Sequence, residues 1–384
     1  MKIALLTTDN RDAFREYEKD SPWFGTAPEA LLQGLAKQVG VEVHVVSCTQ
    51  RPMKSPAKLA ENIFFHSLLA PKIGWLRTGY QGCIRAVRRK LREIRPDIVH
   101  GQGTERDCAI SAVFSGYPNV LTIHGNMAAL ARQFKASPGS YLWLTGRLED
   151  ITLPRTQGVF CNSAYTESLV RPRSKRTWRV SNPLRAAFFG PAAENRPVQR
   201  PRLINIGAVS ARKRQVELLA LCRRLHEQGH AFLMEFVGQV DAGGAYGQAF
   251  FQAIEHGKKE GYASYLGAME TDPLIAKLDQ TDACIHFPSE EAFGLVVAEA
   301  LARNLKFFGA RVGGIMDIAA SVEGTELFEA DDWAGLEQAI VRWMGKGCPQ
   351  PTNAAQIMAQ RYHPRVIAER HVEIYREVLS SSGR

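Results

Sequence analysis

The sequence predicts two α/β domains, each built on a Rossmann-like parallel sheet. Three observations carry this. The chain has 384 residues, enough for two ordinary domains with a core each. Short β-branched runs alternate with helical patterns from end to end, the signature of βαβ units and parallel strands. Between the halves lies Ala186–Pro201, rich in Ala, Pro and polar residues and without periodicity, which reads as a linker.

In the first half, strands are expected at Ile3–Thr8, Val41–Ser47, Asp97–Gln102, Val120–Ile123 and Gly158–Cys161. In the second they are expected at Leu203–Ile206, Leu233–Val237, Ala283–Phe287, Phe307–Phe308 and Leu327–Phe328. Pro364–Leu379 is expected to be a helix, because Val366, Ile367, Ile374 and Val378 recur among charges at about 3.6-residue spacing. Coming after the second domain, it is expected to cross back onto the first. The domains are therefore read as 1–186 completed by 364–384, a linker at 187–201, and 202–363.

Bulk composition narrows the class. Hydrophobic residues make up 45% and charged residues 23%, as in an ordinary globular protein. The cysteines at 48, 83, 108, 161, 222, 284 and 348 are scattered, odd in number and without a C-x-x-C pair. That pattern argues against a disulfide framework or a zinc site and fits a reducing cytoplasm. Met1–Leu6 reads as a first strand rather than a signal peptide, and no stretch approaches the roughly 20 apolar residues of a spanning helix. A cytoplasmic protein is expected. Its charge is uneven: residues 1–200 carry 29 Lys and Arg against 16 Asp and Glu, net +13, while residues 201–384 carry 19 against 23, net −4. The basic half is expected to meet an anionic membrane surface or acidic acceptor. Nucleic acid is not expected, since no nucleic-acid motif occurs and aromatics do not interleave the basic clusters. A basic surface without a partner competes with that reading.

The strongest chemical signal is Phe287-Pro288-Ser289-Glu290-Glu291-Ala292-Phe293-Gly294-Leu295-Val296-Val297-Ala298-Glu299-Ala300. A strand runs into a turn at Pro288-Ser289. A helix is expected from near Phe293, with Val296, Val297, Ala300 and Leu301 as its buried stripe. Glu291 falls just before that helix, at the carboxyl end of a strand, where α/β sheets bind ligands. Glu299 falls about two turns inside it and off the buried stripe. Two carboxylates so placed can accept hydrogen bonds from sugar and ribose hydroxyls. The plainer alternative makes Glu291 a complement to the helix dipole and Glu299 a solvated surface acid.

With its neighbours this segment resembles the family-4 retaining glycosyltransferases of the GT-B fold, whose hallmark is two glutamates eight residues apart around E-x-F-G. Further matches follow in the family's order. In the first half they are Pro96-Asp97-Ile98-Val99-His100 and Leu121-Thr122-Ile123-His124-Gly125. In the second they are Ile206-Gly207 with Arg212-Lys213, then Phe236-Val237-Gly238, then Gly313-Gly314. The resemblance spans nearly the whole chain. It implies two Rossmann-like domains facing across a cleft. It also implies transfer of a sugar from a nucleotide-diphosphate sugar to a glycan, lipid-linked or small-molecule acceptor, with retention of configuration. Roles carry over by position: Glu291 on the transferred sugar, Glu299 on the ribose, Lys213 and Arg212 on the diphosphate, and His124 beside the sugar from the opposing domain. Gly207, Phe293, Gly294 and Leu295 would surround the donor. The chain departs from the family at Ala208, where an arginine often follows the glycine, so phosphate neutralisation falls to Arg212 and Lys213.

Electrostatics points the same way. A departing nucleoside diphosphate gains negative charge, so fixed positive groups must face it. No Asp-x-Asp metal motif occurs, and the expectation is a site without metal or other cofactor. There Lys213, Arg212 and a glycine-opened helix start at Gly313-Gly314 would take the metal's place. Gly25-Thr26, ahead of a helix carrying Leu31, Leu32 and Leu35, offers a second loop for phosphates or acceptor, with a plain turn as the alternative. Gly101-Gln102-Gly103-Thr104-Glu105-Arg106 lacks the third glycine of a dinucleotide fingerprint, and His44 and His100 read as strand histidines. In residues 84–95, Ile84, Val87, Leu91 and Ile94 share one face, and Arg85, Arg88, Arg89, Lys90, Arg92 and Arg95 crowd the rest. That is a sheet-covering helix with a charged face, or else a basic helix lying at the inner face of a membrane beside the apolar Ile63–Leu69. Two other function classes compete: another GT-B enzyme (a sugar-nucleotide epimerase or a phosphorylase), or a non-catalytic nucleotide-sugar-binding protein.

Overall fold

The computed structural model describes residues 1–191 and 200–381. The chain divides into two compact units, Met1–Arg185 with Tyr362–Arg384, and Ala186–Arg361. Counted by unit, the net charges are again +13 and −4.

The first unit holds β1 (Lys2–Leu6), β2 (Glu42–Thr49), β3 (Lys58–Ala60), β4 (Ile63–Leu69), β5 (Ile98–Gln102), β6 (Asn119–Ile123), β7 (Val159–Cys161) and β8 (Thr177–Arg179). They form one sheet in the order β3-β4-β2-β1-β5-β6-β7-β8, parallel throughout except at the edge strand β3. Alternate residues of β1 feed two cores: Ile3 and Leu5 join one apolar cluster, Ala4 and Leu6 the other. A sheet buried on both faces explains why its inner strands read as unbroken apolar runs. The first cluster is filled by the helix Thr26–Leu35 and the last helix, Pro364–Ser381, through Leu31, Leu35, Ile367, Val372 and Tyr375. These two helices meet so closely that a Cβ on Gly34 would lie 2.1 Å from the Pro364 carbonyl oxygen.

The second unit holds β9 (Arg202–Ile206), β10 (Leu233–Val237), β11 (Ala263–Tyr265), β12 (Ala283–His286), β13 (Lys306–Ala310) and β14 (Thr325–Phe328). The order is β11-β10-β9-β12-β13-β14, and every pair is parallel. In each sheet the winding reverses once, between β1 and β5 in the first and between β9 and β12 in the second. Loops leaving the carboxyl ends at such a point turn to opposite faces and open a crevice.

The sequence reading misses β3, β4, β8 and β11. Three of these are edge strands of three residues, too short for a periodic signal. The fourth corrects an expectation. Ile63–Leu69, read as apolar matter beside the basic run, is β4, paired with β2 from Val43–Ile63 to Thr49–Leu69, with Ile63 and Phe65 buried. The basic helix is Gln81–Ile94, and it buries Cys83, Ile84, Val87, Leu91 and Ile94 in the second cluster of this unit. Its apolar face is therefore spent on the sheet. No described helix is long and apolar enough to cross a membrane.

The expected linker at 187–201 is anchored where it starts. Ala186–Phe189 is a 3₁₀ turn with Phe188 buried, and Arg303 donates to the carbonyls of Phe188 (3.3 Å), Gly190 (2.9 Å) and Pro191 (2.7 Å). Residues 192–199 of that stretch lie outside the described residues.

Candidate active site

The second unit's reversal point gathers most of the candidate residues. The ladder between β9 and β12 has two registered pairs, Leu203 with Ala283 and Ile204 with Cys284. Beyond them the buried Asn205 side chain takes over, donating from Nδ2 to the Ile285 carbonyl at 2.8 Å. Gly207 follows β9 directly, with φ 144° and its amide on the Val237 carbonyl at 2.8 Å. Arg212 and Lys213 follow in a turn ahead of the helix Gln215–Glu227. From β12 the chain passes through Pro288 to Glu290 and Glu291. The Ser289 amide donates to the Arg212 carbonyl at 2.9 Å and ties the two loops together.

Lys213 Nζ forms an ion pair with Glu291 Oε2, and the same oxygen lies 3.1 Å from Nε2 of His286. Lys213 Nζ is 3.4 Å from that nitrogen. Burial alone would push the Glu291 carboxyl up. The His286 hydrogen bond and the Lys213 charge outweigh it and hold Glu291 well below the usual carboxylate range, hence anionic. His286 is pushed down to about 4, first by burial and then by the Lys213 charge, and is neutral near pH 7. Glu290 turns to Arg212 instead, whose Nη1 donates to its carboxylate at 3.2 Å and to its carbonyl at 3.1 Å. The next cation, Arg214, pairs with Asp331 and stacks over Trp333. Three consecutive basic residues thus have three different destinations. His286 had no motif to mark it; only its strand-end place beside Glu291 reveals it.

The helix of the glutamate motif is Leu295–Leu301, opened by Gly294 at φ 98°, two residues later than expected. Leu295 is half-buried and Phe293 is buried. Glu299 is not a solvated acid off the buried stripe: it is 5% exposed, among buried Val297, Ala298, Ala300 and Leu301. A helix covered on nearly every side has no polar face on which an acid could sit, which is why a one-stripe reading fails here. Gly313 and Gly314 cradle this loop. A Cβ on Gly313 (φ 49°) would fall 1.7 Å from the Glu291 carbonyl oxygen, and one on Gly314 would fall 2.5 Å from Phe293 Cα. The Gly314 amide is spent on that same Glu291 oxygen at 3.0 Å, and the helix the pair opens, Ile315–Ala319, is little more than one turn.

His124 belongs to the first unit, where it leaves β6 half-buried. Its Nε2 donates to Gln102 Oε1 at 2.9 Å, and Gln102 Nε2 lies 3.2 Å from Nε2 of the buried His100. Burial pushes His124 down to about 4. Beside it Glu105 accepts from the Gly125 amide at 2.8 Å and is pushed up to about 7, mainly by burial. Gly25 opens the helix Thr26–Leu35, and Arg185 donates to Thr26 Oγ1 at 3.5 Å and to Glu29 at 3.1 Å. Gly25 and Thr26, at the start of that helix, lie on the connection from β1 to β2 and His124 in the loop after β6, with β5 between β1 and β6 in the sheet. One group among the described residues has metal-ligand chemistry: Cys48, Cys83 and Asp107 of this unit, all buried, with ligand atoms within 4.8 Å of one another. Separations of 35 and 24 residues hide it from a spacing argument.

Residues 28–183 match the family model described as Glycosyltransferase Family 4, and residues 190–360 match that described as Glycosyl transferases group 1. No curated protein matches the sequence. Among solved structures the chain is similar to sucrose-phosphate synthase from Thermosynechococcus elongatus, at 18% identity and TM-score 0.78, covering 99% of this chain and 100% of that one. It is similar to a glycosyltransferase from Rickettsia africae, at 14% identity and TM-score 0.70 over 98% of each chain. A third is Anabaena Alr3699/HepE in complex with UDP, at 16% identity and TM-score 0.68, over 98% of this chain and 100% of that one. Identities this low speak to the fold, which is GT-B. With one family model on each half, the chain belongs to the family 4, group 1 glycosyltransferases.

Proposed function

We propose that the chain transfers a sugar from a nucleoside-diphosphate sugar to an acceptor with retention of configuration, and that it needs no metal ion. The observation that carries this is the pairing of half-buried Lys213 with buried Glu291 at the reversal point of the second sheet. Lys213 supplies a cation for the leaving diphosphate, assisted by Arg212. Glu291 supplies a fixed anion for the positive charge that grows on the anomeric carbon as the carbon–oxygen bond to the diphosphate breaks. Glu299 takes the ribose hydroxyls, and His124, neutral and with its Nε2 proton held by Gln102, is assigned to the sugar as an acceptor through Nδ1. Anabaena Alr3699/HepE, similar in fold, has been seen with UDP-glucose, which supports a sugar nucleotide of this kind. The acceptor is assigned to the basic first unit and is anionic or lipid-linked. Contact with a membrane would be electrostatic, through the exposed arginines of Gln81–Ile94, because that helix buries its apolar face.

A thermal-shift screen of UDP, GDP and ADP sugars in excess EDTA is expected to find one stabilising donor, and donor hydrolysis is expected to proceed in the same buffer. Lys213→Ala should abolish the shift and slow turnover, a loss of about 2.7–4 kcal/mol if it resembles removal of one oxyanion donor. Turnover that Mg²⁺ or Mn²⁺ must restore would overturn the metal-free reading. An undiminished shift in Lys213→Ala would place the diphosphate elsewhere.

A further inference from the structure

We propose that His286 is a positioning residue for Glu291: its single ring proton, on Nε2, holds the carboxylate when Lys213 leaves it for the diphosphate. This rests on the roles assigned to Glu291 and Lys213 above.

His286 Nε2 faces two atoms, Glu291 Oε2 at 3.1 Å and Lys213 Nζ at 3.4 Å. It cannot serve both. Bonding the carboxylate requires a proton on Nε2, whereas accepting from the ammonium requires a bare lone pair there. The other nitrogen decides between them. Nδ1 is buried and meets no partner among the described residues. With the proton on Nδ1, a buried N–H would go unpaired and the Nε2 lone pair would confront a carboxylate oxygen. With the proton on Nε2, one bond to an anion forms and only an acceptor is left over, the less costly orphan. The ring is therefore a donor aimed at one oxygen.

The two partners of Glu291 differ in mobility. His286 is the last residue of β12, registered against Gly309 of β13 and 0% exposed. Lys213 stands in a turn on a flexible four-carbon stem. An ammonium paired with Glu291 must be shared or surrendered when a diphosphate arrives. A histidine fixed in the sheet lets Glu291 keep its orientation through that exchange.

Glutamine can place an amide N–H near the histidine Nε2 position; asparagine reaches only as far as Nδ1. Both are polar, so a comparison of the two does not depend on an apolar variant folding. For hydrolysis of the donor selected by thermal shift, His286→Asn should lower kcat roughly ten- to hundredfold, the range for one hydrogen bond to a charged group. His286→Gln should recover most of that, and both should bind the nucleoside diphosphate within about twofold of wild type. In a Glu291→Gln background His286→Asn should add nothing further. Equal activity of the Gln and Asn variants, or losses that multiply in the double variant, would overturn the positioning role. A fully active Glu291→Gln single variant would instead overturn the function proposed for Glu291.

Discussion

Glu290 and Glu291 are adjacent and chemically alike, yet they face different partners. Glu291 is held by Lys213 and His286, Glu290 by Arg212. Glu291→Gln keeps size and most hydrogen bonding but removes the anion that opposes charge on the anomeric carbon. Its kcat should fall on the order of a hundredfold, as for loss of one preorganised charge partner. Nucleoside-diphosphate affinity should hold or rise, because Lys213 is released. Glu290→Gln frees only Arg212, and its kcat should stay within about threefold of wild type. Steady-state kinetics with a diphosphate titration separates the two. A crippled Glu290→Gln beside a normal Glu291→Gln would assign the sugar-facing role to Glu290.

At the scale of elements, the last helix is held by close approach more than by its exposed ion pair between Arg176 and Glu377. Gly34 lies inside Thr26–Leu35, and an added Cβ there meets the Pro364 carbonyl oxygen at 2.1 Å and Ala368 Cβ at 2.8 Å. Gly34→Ala should push Pro364–Ser381 off its seat and cost about 1–3 kcal/mol, the range for an overpacked contact. Gly345, in the helix Trp333–Gly345, has nothing within 4 Å of its would-be Cβ. Gly345→Ala should be neutral or stabilise by about 0.4–1 kcal/mol through the unfolded chain. Chemical denaturation of the two variants checks this, and equal midpoints would show that the helix contact is loose.

Across the whole molecule, buried histidines set the acid limit of stability. His124, His286 and His371 are pushed down to about 4 by burial, and His100 lies well below its ordinary value for the same reason. Their pKa in the unfolded chain is about 6.5. Between pH 6.5 and 5 the unfolded chain takes up protons that the folded chain refuses, so stability present near neutrality is lost as pH falls. The slope is on the order of 1 kcal/mol per pH unit for each histidine. Glu105, pushed up to about 7 by burial, titrates in the opposite sense and offsets about one of them. The melting temperature should be level near pH 7.5 and fall steadily below 6.5; a level profile to pH 5 would contradict the burial of these rings. The uneven charge makes a second expectation at this scale. Reversing Arg88, Arg89 and Arg92, all exposed, to Glu should reduce association with anionic liposomes and its salt sensitivity while leaving donor binding intact. Association indifferent to salt and to charge reversal would make the basic surface incidental.

The sequence by itself determined the two α/β units, because parallel strands buried on both faces must be nearly unbroken apolar runs separated by helical periodicity. It also marked Glu291 and Gly207 at strand ends, since a local motif records a local turn, while Arg212 and Lys213 were reached through the family resemblance. Only the tertiary structure decided what those residues touch. Lys213 meets Glu291 across 78 positions because β9 and β12 flank the reversal point, a neighbourhood that strand order creates and spacing does not encode. His286 was illegible for the same reason, a lone histidine on an apolar strand until the loop after β9 folds over it. Glu299 escaped because a helix buried on most of its surface has no periodicity from which to read a face. Ile63–Leu69 escaped because an apolar run beside basic residues looks alike in a sheet and at a membrane; the register against β2 assigns it to the sheet.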